Sequence, residues 1–143
     1  MTESRNAASA ALVLRLSLGT MFIAHALLKY FVFTLPGTAQ FFASLGLPGI
    51  LGYVTFAAEL VGGLLLIAGV KTRVVSLALV PVLLGATWAH SGNGWLFTSA
   101  NGGWEYPAFL TLAAVVVGFL GDGATDRVPV FGRGSPRRAQ AAH

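Results

Sequence analysis

Several ionisable side chains lie inside apolar stretches of this sequence. His25 and Lys29 are one helical turn apart in the first stretch, and Glu59 is the one charged residue between positions 50 and 70. Ionisable groups within a membrane span cost about 2.5–3.5 kcal/mol each on insertion scales, so they usually face the bundle interior and have partners. An acid, an amine and an imidazole held together can transfer protons. We therefore predict that Glu59, His25 and Lys29 form a catalytic group.

A second set of side chains is predicted to surround this group and to bind a cofactor. The rise per residue places His25 about 10 Å and Glu59 about 12–14 Å below the outer ends of their helices, so the two are close to level. At 100° per residue, Arg15 lies on the same face of the first helix as His25 and Lys29. These positions predict a polar pocket that opens outward, is walled by four helices and is rimmed with tryptophan. The predicted cofactor-binding residues are Arg15, His90, Trp104, Glu105 and Tyr106.

Each of these residues also has a purely structural interpretation. Arg15 and Lys29 can extend their charged ends to opposite membrane interfaces. Glu105 can cap the helix that it begins, where a carboxylate favours the helix dipole. His90 can be solvated at a helix end, and Trp104 can be an interfacial residue. Glu59 can form a structural ion pair, although its depth prevents it from reaching an interface.

The amino-acid composition indicates that most of the folded protein's surface faces lipid rather than water. Of the 143 residues, 55% are hydrophobic and 10% are charged, whereas about a quarter of the residues in soluble domains are charged. The chain has no cysteine, which excludes thiolate catalysis, disulfide exchange and iron–sulfur ligation by its own residues. The net charge of +4 comes largely from one turn and the C-terminal tail, without the basic face typical of a nucleic-acid-binding protein.

The apolar stretches predict an all-α fold, a bundle of four transmembrane helices. A span needs about 20 apolar residues, and the candidates are 8–33, 50–70, 74–90 and 104–121. Residues rich in Gly and Pro separate them, with the segments 31–49 and 91–103 interpreted as loops. We predict a transmembrane domain over 1–121 and a disordered basic tail over 122–143.

The distribution of Lys and Arg predicts the orientation. Both loops 31–49 and 91–103 lack charged residues, whereas the N-terminus, the 71–73 turn and the tail contain the flanking positive charges. By the positive-inside rule, both termini are cytoplasmic. All three tryptophans then lie near the outer surface, where indole rings are favoured. We expect a multi-pass protein of the bacterial inner (plasma) membrane.

These stretches also resemble a known family. Residues 14–29, LRLSLGTMFIAHALLK, resemble the opening helix of the DoxX family. Residues 59–66, ELVGGLLL, with Gly69 and Thr72-Arg73, resemble its second helix and turn. His90 and residues 102–107, GGWEYP, resemble its third and fourth elements. The resemblance covers about residues 12–123, although Ala26 stands where the family often has Gly, which narrows the expected pocket.

The resemblance implies an integral membrane protein associated with redox processes, and four functions remain open. The first is a redox subunit that binds a quinone or quinol, with His25, His90 and Lys29 donating to its oxygens and Glu59 and Glu105 taking protons. The second is a non-catalytic platform for a partner oxidoreductase. A small transporter and a metal or haem site are the others, the latter disfavoured because His25 and His90 differ in depth by about 10 Å. The expected partners are the lipid bilayer, a redox protein and a second copy of the chain; no metal and no nucleic acid is expected.

Overall fold

The computed structural model describes residues 2–124, and every regular element within that range is helical. The fold-class prediction is therefore confirmed. The elements are α1 (Thr2–Leu27), which continues into a π-helical turn (Leu28–Val32), α2 (Leu35–Ser44), α3 (Ile50–Ala68), α4 (Thr72–His90), a 3₁₀ turn (Ser91–Asn93) and α5 (Glu105–Leu120).

The bundle buries small and branched apolar residues and leaves large apolar residues outside. α1 packs mainly against α3 and α4 mainly against α5, while contacts of α3 with α4 and of α1 with α5 complete the bundle. Its core comprises Leu18, Phe22, Leu66, Leu79, Leu83, Leu110, Ala113, Ala114 and Val117. Phe31 and Phe119 are 73% and 75% exposed, whereas the charged Arg15 and Glu59 are 2% and 6% exposed. Charge inside and aromatic rings outside are the distribution that a lipid solvent favours.

Within residues 2–124, three helical segments are long and apolar enough to cross a membrane: Thr2–Val32, Ile50–Ala68 and Thr72–Asn93. The predicted fourth span is the apolar helix α5, which has 16 residues and is therefore about 24 Å long. That is shorter than the roughly 30 Å of a bilayer's hydrocarbon core. The chain is a multi-pass membrane protein, and the placement of both termini in the cytoplasm stays a prediction.

The interpretation of 31–49 as a loop is wrong, because the segment contains α2. Thr34 is its N-cap, and the hydroxyl of Thr34 accepts a hydrogen bond from the Gly37 amide at 3.1 Å. Pro36 is in the first turn, where a missing amide hydrogen costs nothing. Pro36-Gly37 therefore marks a helix start rather than a turn. α2 packs against the first turn of α3, where the backbone at Ala39 lies next to Gly52.

Glycine pairs set the distances between the helices that carry the ionisable residues. A Cβ built on Gly63 would lie 2.8 Å from the Gly19 carbonyl oxygen, and one on Gly19 would lie 2.9 Å from the Gly63 carbonyl oxygen. α1 and α3 thus touch backbone to backbone, as small residues allow in membrane helices. This contact is one helical turn from Glu59 on α3, and it keeps Glu59 close to α1.

We expect Gly63→Ala to destabilise the bundle by about 1–3 kcal/mol, because the added methyl group must push α1 and α3 apart. The measurement is the free energy of unfolding in detergent. Gly85→Ala on α4 is the matched control, since a Cβ there meets nothing within 4 Å. That control should be neutral or stabilising by about 0.5–1 kcal/mol, as Ala favours helices over Gly. Equal effects at both positions would contradict the close α1–α3 contact.

The start of the predicted tail contacts α1. Gly121 and Gly123 have positive φ angles and form a turn around Asp122. The Ala124 amide then donates to the Ala8 carbonyl oxygen at 3.0 Å. Residues 125–143 lie outside the described residues, so the predicted disorder of the basic tail stays a prediction.

Candidate functional site

A cavity of about 630 Å³ lies between α1, α3, α4, α5 and the segment that joins α4 to α5. Its volume is within the range of about 300–1,000 Å³ that is usual for small-molecule sites. Most of its lining is apolar, and the exceptions among its side chains are His25, Lys29, Glu59, His90 and Tyr106. The apolar lining comprises Leu18, Met21, Phe22, Leu83, Ala86, Phe97, Gly102, Gly103, Pro107 and Leu110.

An ion pair joins α1 to α3 at this cavity. Lys29 Nζ lies 2.7 Å from Glu59 Oε2, and the two side chains are 18% and 8% exposed. Lys29 lies in the π-helical turn that follows α1, a distortion that often occurs at functional sites. Both partners of the pair are held on helices that pack directly against each other. Within residues 2–124 this is the one salt bridge, so the charge of Glu59 is balanced locally.

His25 lies one turn before Lys29 and faces the same cavity. Its Nδ1 is 2.7 Å from the Met21 carbonyl oxygen in the preceding turn. Its ring stacks on that of Tyr106 from α5, with centroids 5.8 Å apart and an interplanar angle of 29°. His25, Lys29 and Glu59 all line this one cavity. The structure therefore brings together the three side chains of the predicted catalytic group.

His90 reaches the cavity from the last residue of α4. Its Nδ1 is 3.1 Å from the carbonyl oxygens of both Asn101 and Gly102. The Asn93 amide donates to the Gly102 carbonyl oxygen at 2.9 Å. These contacts fix the imidazole against residues 91–104, which join α4 to α5 and cover the cavity (the covering segment). His90 is therefore not simply a solvated residue at a helix end.

Trp104 and Glu105 lie beside this cavity rather than in it. Both line a second, shallower pocket together with Trp95 and Tyr106. The indoles of Trp95 and Trp104 meet edge to face at a centroid distance of 4.5 Å. Glu105 Oε1 accepts a hydrogen bond from the Phe97 amide at 2.9 Å, which folds the covering segment back onto the start of α5. The expectation of a tryptophan rim around the cavity is therefore wrong, and Glu105 has a structural hydrogen bond.

Arg15 lies on the expected face of α1, but towards the end of the helix that is far from the cavity. It precedes His25 by ten residues, which separates the two by about 15 Å along the helix, and it does not line the cavity. Arg15 is 2% exposed, so its side chain is covered by the protein. Its Nε and Nη1 atoms have no hydrogen-bond partner, and the charge that acts on it is that of Asp122. A role for Arg15 in binding the same ligand as His25 has no geometric support.

The sequence pattern does not predict which apolar residues line the cavity. Phe97 and Gly103 come from the segment that was interpreted as a plain outer loop, yet both line the cavity. A Cβ on Gly103 would collide with the Leu96 carbonyl oxygen, so only glycine fits there. The GG dipeptide at 102–103 was the available signal for such close backbone packing.

The positions of the possible metal ligands bear on the alternative of a metal or haem site. Among residues 2–124, no three His, Cys, Asp or Glu side chains come together as a possible ligand set. The described residues therefore offer a metal ion no cluster of three such side chains.

The family assignment comes from comparison with protein-family models. The DoxX model matches residues 10–92, which is more than half of the chain. The chain belongs to the DoxX family. Of the polar cavity residues, His25, Lys29, Glu59 and His90 lie within the matched range, while Tyr106 lies beyond it. The resemblance of residues 102–107 to the family is outside the range that the model covers.

A relative adds an indication of the biochemical context. The chain is 43% identical over 75 residues to a Bacillus subtilis protein named "Putative oxidoreductase CatD". The alignment covers 52% of this chain and 54% of that protein, so the chain spans about half the length of this relative. No solved structure matches the chain.

Proposed function

We propose that this DoxX-family protein is a membrane subunit of a redox system and that it binds a quinone, a quinol or a similar small aromatic ligand in the cavity. The observation that carries the proposal is the Lys29–Glu59 ion pair at the wall of a largely apolar cavity that also presents two imidazoles. Such a site combines a flat apolar space with a few polar groups that fix orientation.

The chemistry of the lining suits a ligand with an aromatic ring and two oxygens. The stacked rings of His25 and Tyr106 provide a face on which a further flat ring can pack. Lys29 keeps donor hydrogens beyond the one that it gives to Glu59, since an ammonium has three. Lys29, just after α1, and Tyr106 on α5 can therefore contact the same bound ligand.

The polar groups also suit proton transfer. Glu59 and Lys29 are paired at 2.7 Å, His25 lines the same cavity, and each of the three can gain or lose a proton. A quinone takes up two protons when it is reduced, so a site that handles it needs such a group. The name of the CatD relative as an oxidoreductase supports the redox context, and the membrane location suits a lipid-soluble ligand.

We expect Glu59→Gln to weaken ligand binding by at least about tenfold, which corresponds to about 1.4 kcal/mol. Loss of the carboxylate charge frees Lys29 from its partner and changes the polarity of the cavity wall. The measurement is retention of a short-chain benzoquinone by purified protein in mild detergent, with the shift of the melting temperature as a second readout. Glu105→Gln is the matched control, because Glu105 lies outside the cavity.

A protein that retains neither the benzoquinone nor its hydroquinone, and whose melting temperature shifts with neither, would overturn this proposal. Equal losses in Glu59→Gln and Glu105→Gln would assign the binding to some other part of the surface.

The second candidate is a membrane platform for a partner oxidoreductase. The observation that favours it is the lack of cysteine in the chain, which leaves electron transfer by thiolates or iron–sulfur clusters to another protein. Affinity purification from native membranes tests it. A redox protein that copurifies with both wild type and Glu59→Gln would support the platform, whereas recovery of the bare chain would count against it.

A further inference from the structure

The two histidines at the cavity have the same hydrogen-bonding pattern. Each places its Nδ1 against a backbone carbonyl oxygen, and both residues line the cavity. In a neutral imidazole one nitrogen donates and the other accepts, and the partner of the first decides the role of the second. The pattern therefore determines what the cavity offers to a ligand.

For His25 the tautomer is unambiguous. The Met21 carbonyl oxygen can only accept a hydrogen bond, and its 2.7 Å distance from Nδ1 requires the hydrogen to be on Nδ1. Nε2 of the neutral ring then carries a lone pair. Among residues 2–124 no group donates a hydrogen bond to this nitrogen. His25 thus contributes an unmet acceptor at the cavity.

The surroundings of His90 lead to the same assignment. Nδ1 meets two carbonyl oxygens at 3.1 Å, from Asn101 and Gly102. The Asn93 amide nitrogen is also 3.4 Å from Nδ1, but it is farther away and already donates to Gly102 at 2.9 Å. Two closer acceptors require the hydrogen on Nδ1, so Nε2 of the neutral His90 ring is again an acceptor.

The donors at the cavity come from other side chains. Lys29 donates one hydrogen to Glu59 Oε2 and has others to offer. The Tyr106 hydroxyl both donates and accepts. The cavity therefore presents the ammonium of Lys29 and the hydroxyl of Tyr106 as donors, and the imidazoles of His25 and His90 with the second oxygen of Glu59 as acceptors.

A quinone and a hydroquinone meet this set of groups differently. The carbonyl oxygens of a quinone only accept, so they can pair with Lys29 or Tyr106 but leave the nitrogen of His25 unpaired. A hydroquinone oxygen can accept from Lys29 while its own hydrogen is donated to Nε2 of His25. A buried polar group that loses water without gaining a partner weakens binding.

We propose that the cavity selects the reduced, hydroxyl-bearing form of an aromatic redox ligand, with Nε2 of His25 as the acceptor that makes the selection. This inference rests on the proposed function, since it assumes that the cavity binds this class of ligand. His25 is well placed for the role, because its ring already stacks on Tyr106 and it lines the same cavity as the Lys29–Glu59 pair.

The test compares three forms of one ligand on the wild-type protein. The probes are a short-chain benzoquinone, its hydroquinone kept reduced under argon, and the dimethyl ether of that hydroquinone. The ether keeps both oxygens as acceptors but has no hydroxyl hydrogen to donate. We expect the hydroquinone to bind about tenfold more tightly than either of the others, measured by calorimetry in mild detergent.

Variants then assign the preference to one residue. His25→Phe keeps an aromatic ring against Tyr106 but has no nitrogen, so the hydroquinone and the quinone should bind to it about equally. Tyr106→Phe removes a donor and should preserve the preference for the hydroquinone. The comparison of ligands on wild type needs no variant, so the inference can be tested even if His25→Phe does not fold.

The outcomes separate this inference from the proposed function. If the quinone binds as tightly as the hydroquinone, or more tightly, the selection is overturned while the cavity remains a binding site for this class of ligand. If the ether binds as tightly as the hydroquinone, the hydroxyl hydrogens are irrelevant and the selection is again overturned. If none of the three binds, the proposed function fails and the inference fails with it.

Discussion

Lys29→Met is expected to lower the free energy of unfolding by about 3–5 kcal/mol, because it leaves the Glu59 carboxylate buried without its partner. Glu59 is 8% exposed at the side chain, and Lys29 Nζ is 2.7 Å away. Methionine preserves most of the length and apolar surface of the lysine stem, so the loss reports the charge rather than the packing. Thermal or denaturant unfolding in mild detergent measures it.

Removing both charges should recover most of this loss. In the double variant Lys29→Met/Glu59→Gln no unpaired ion remains, and apolar or neutral replacements of a buried pair are often close to neutral. The interaction energy from the double-mutant cycle then isolates the pair from the effects of each single change. Lys71→Met is the matched control, since Lys71 is exposed and has no acidic partner within residues 2–124.

Additive effects of the two substitutions would show that Lys29 and Glu59 are energetically independent. The α1–α3 contact would then depend on the Gly19–Gly63 packing alone. A loss in Lys29→Met no larger than that in Lys71→Met would lead to the same conclusion, and the ion pair could no longer be used as the basis of the proposed site.

The grouping of His25, Lys29 and Glu59 could be predicted from the sequence because it follows from a strong constraint. Charges in hydrocarbon must face the bundle interior, and the rise per residue gives their depth. Both rules hold wherever the chain is helical and embedded in lipid. The close approach at Gly63 was likewise indicated by the small residues that follow Glu59 on the same face.

The same rules were insufficient where the chain leaves helix geometry. The sequence predicts Glu105 in the cavity, but the segment between α4 and α5 turns back, and its Phe97 amide donates a hydrogen bond to the Glu105 carboxylate. The sequence does not predict α2, because the Pro and Gly residues of the segment 31–49 indicate a loop. In the structure, the Thr34 hydroxyl caps a helix that begins there. Such hydrogen bonds depend on loop conformation, which apolar periodicity does not encode. The apolar lining could not be predicted from the sequence for another reason. A leucine that lines the cavity, such as Leu83 or Leu110, is the same residue type as a leucine that faces lipid.

Arg15→Met is expected to raise the stability of the bundle by about 1–4 kcal/mol, because it replaces a buried charge with an apolar side chain of similar length. Arg15 is 2% exposed, and its Nε and Nη1 atoms have no hydrogen-bond partner. The nearby charge of Asp122 acts on it, but no salt bridge joins the two within the described residues. The melting temperature in detergent should therefore increase, while Arg5→Met at an exposed position should change it little.

A second substitution shows whether Asp122 offsets part of the burial cost of Arg15. Asp122→Asn should destabilise the wild-type protein, because the guanidinium loses the one carboxylate within residues 2–124 that acts on it. The same substitution should have almost no effect when Arg15 is already Met. If Arg15→Met instead lowers the stability, and Asp122→Asn lowers it equally, the two side chains form a stronger pair than their geometry implies. An increase in stability would mean that the chain carries Arg15 at a net energetic cost, about 15 Å from the cavity along α1, where it cannot touch the proposed ligand.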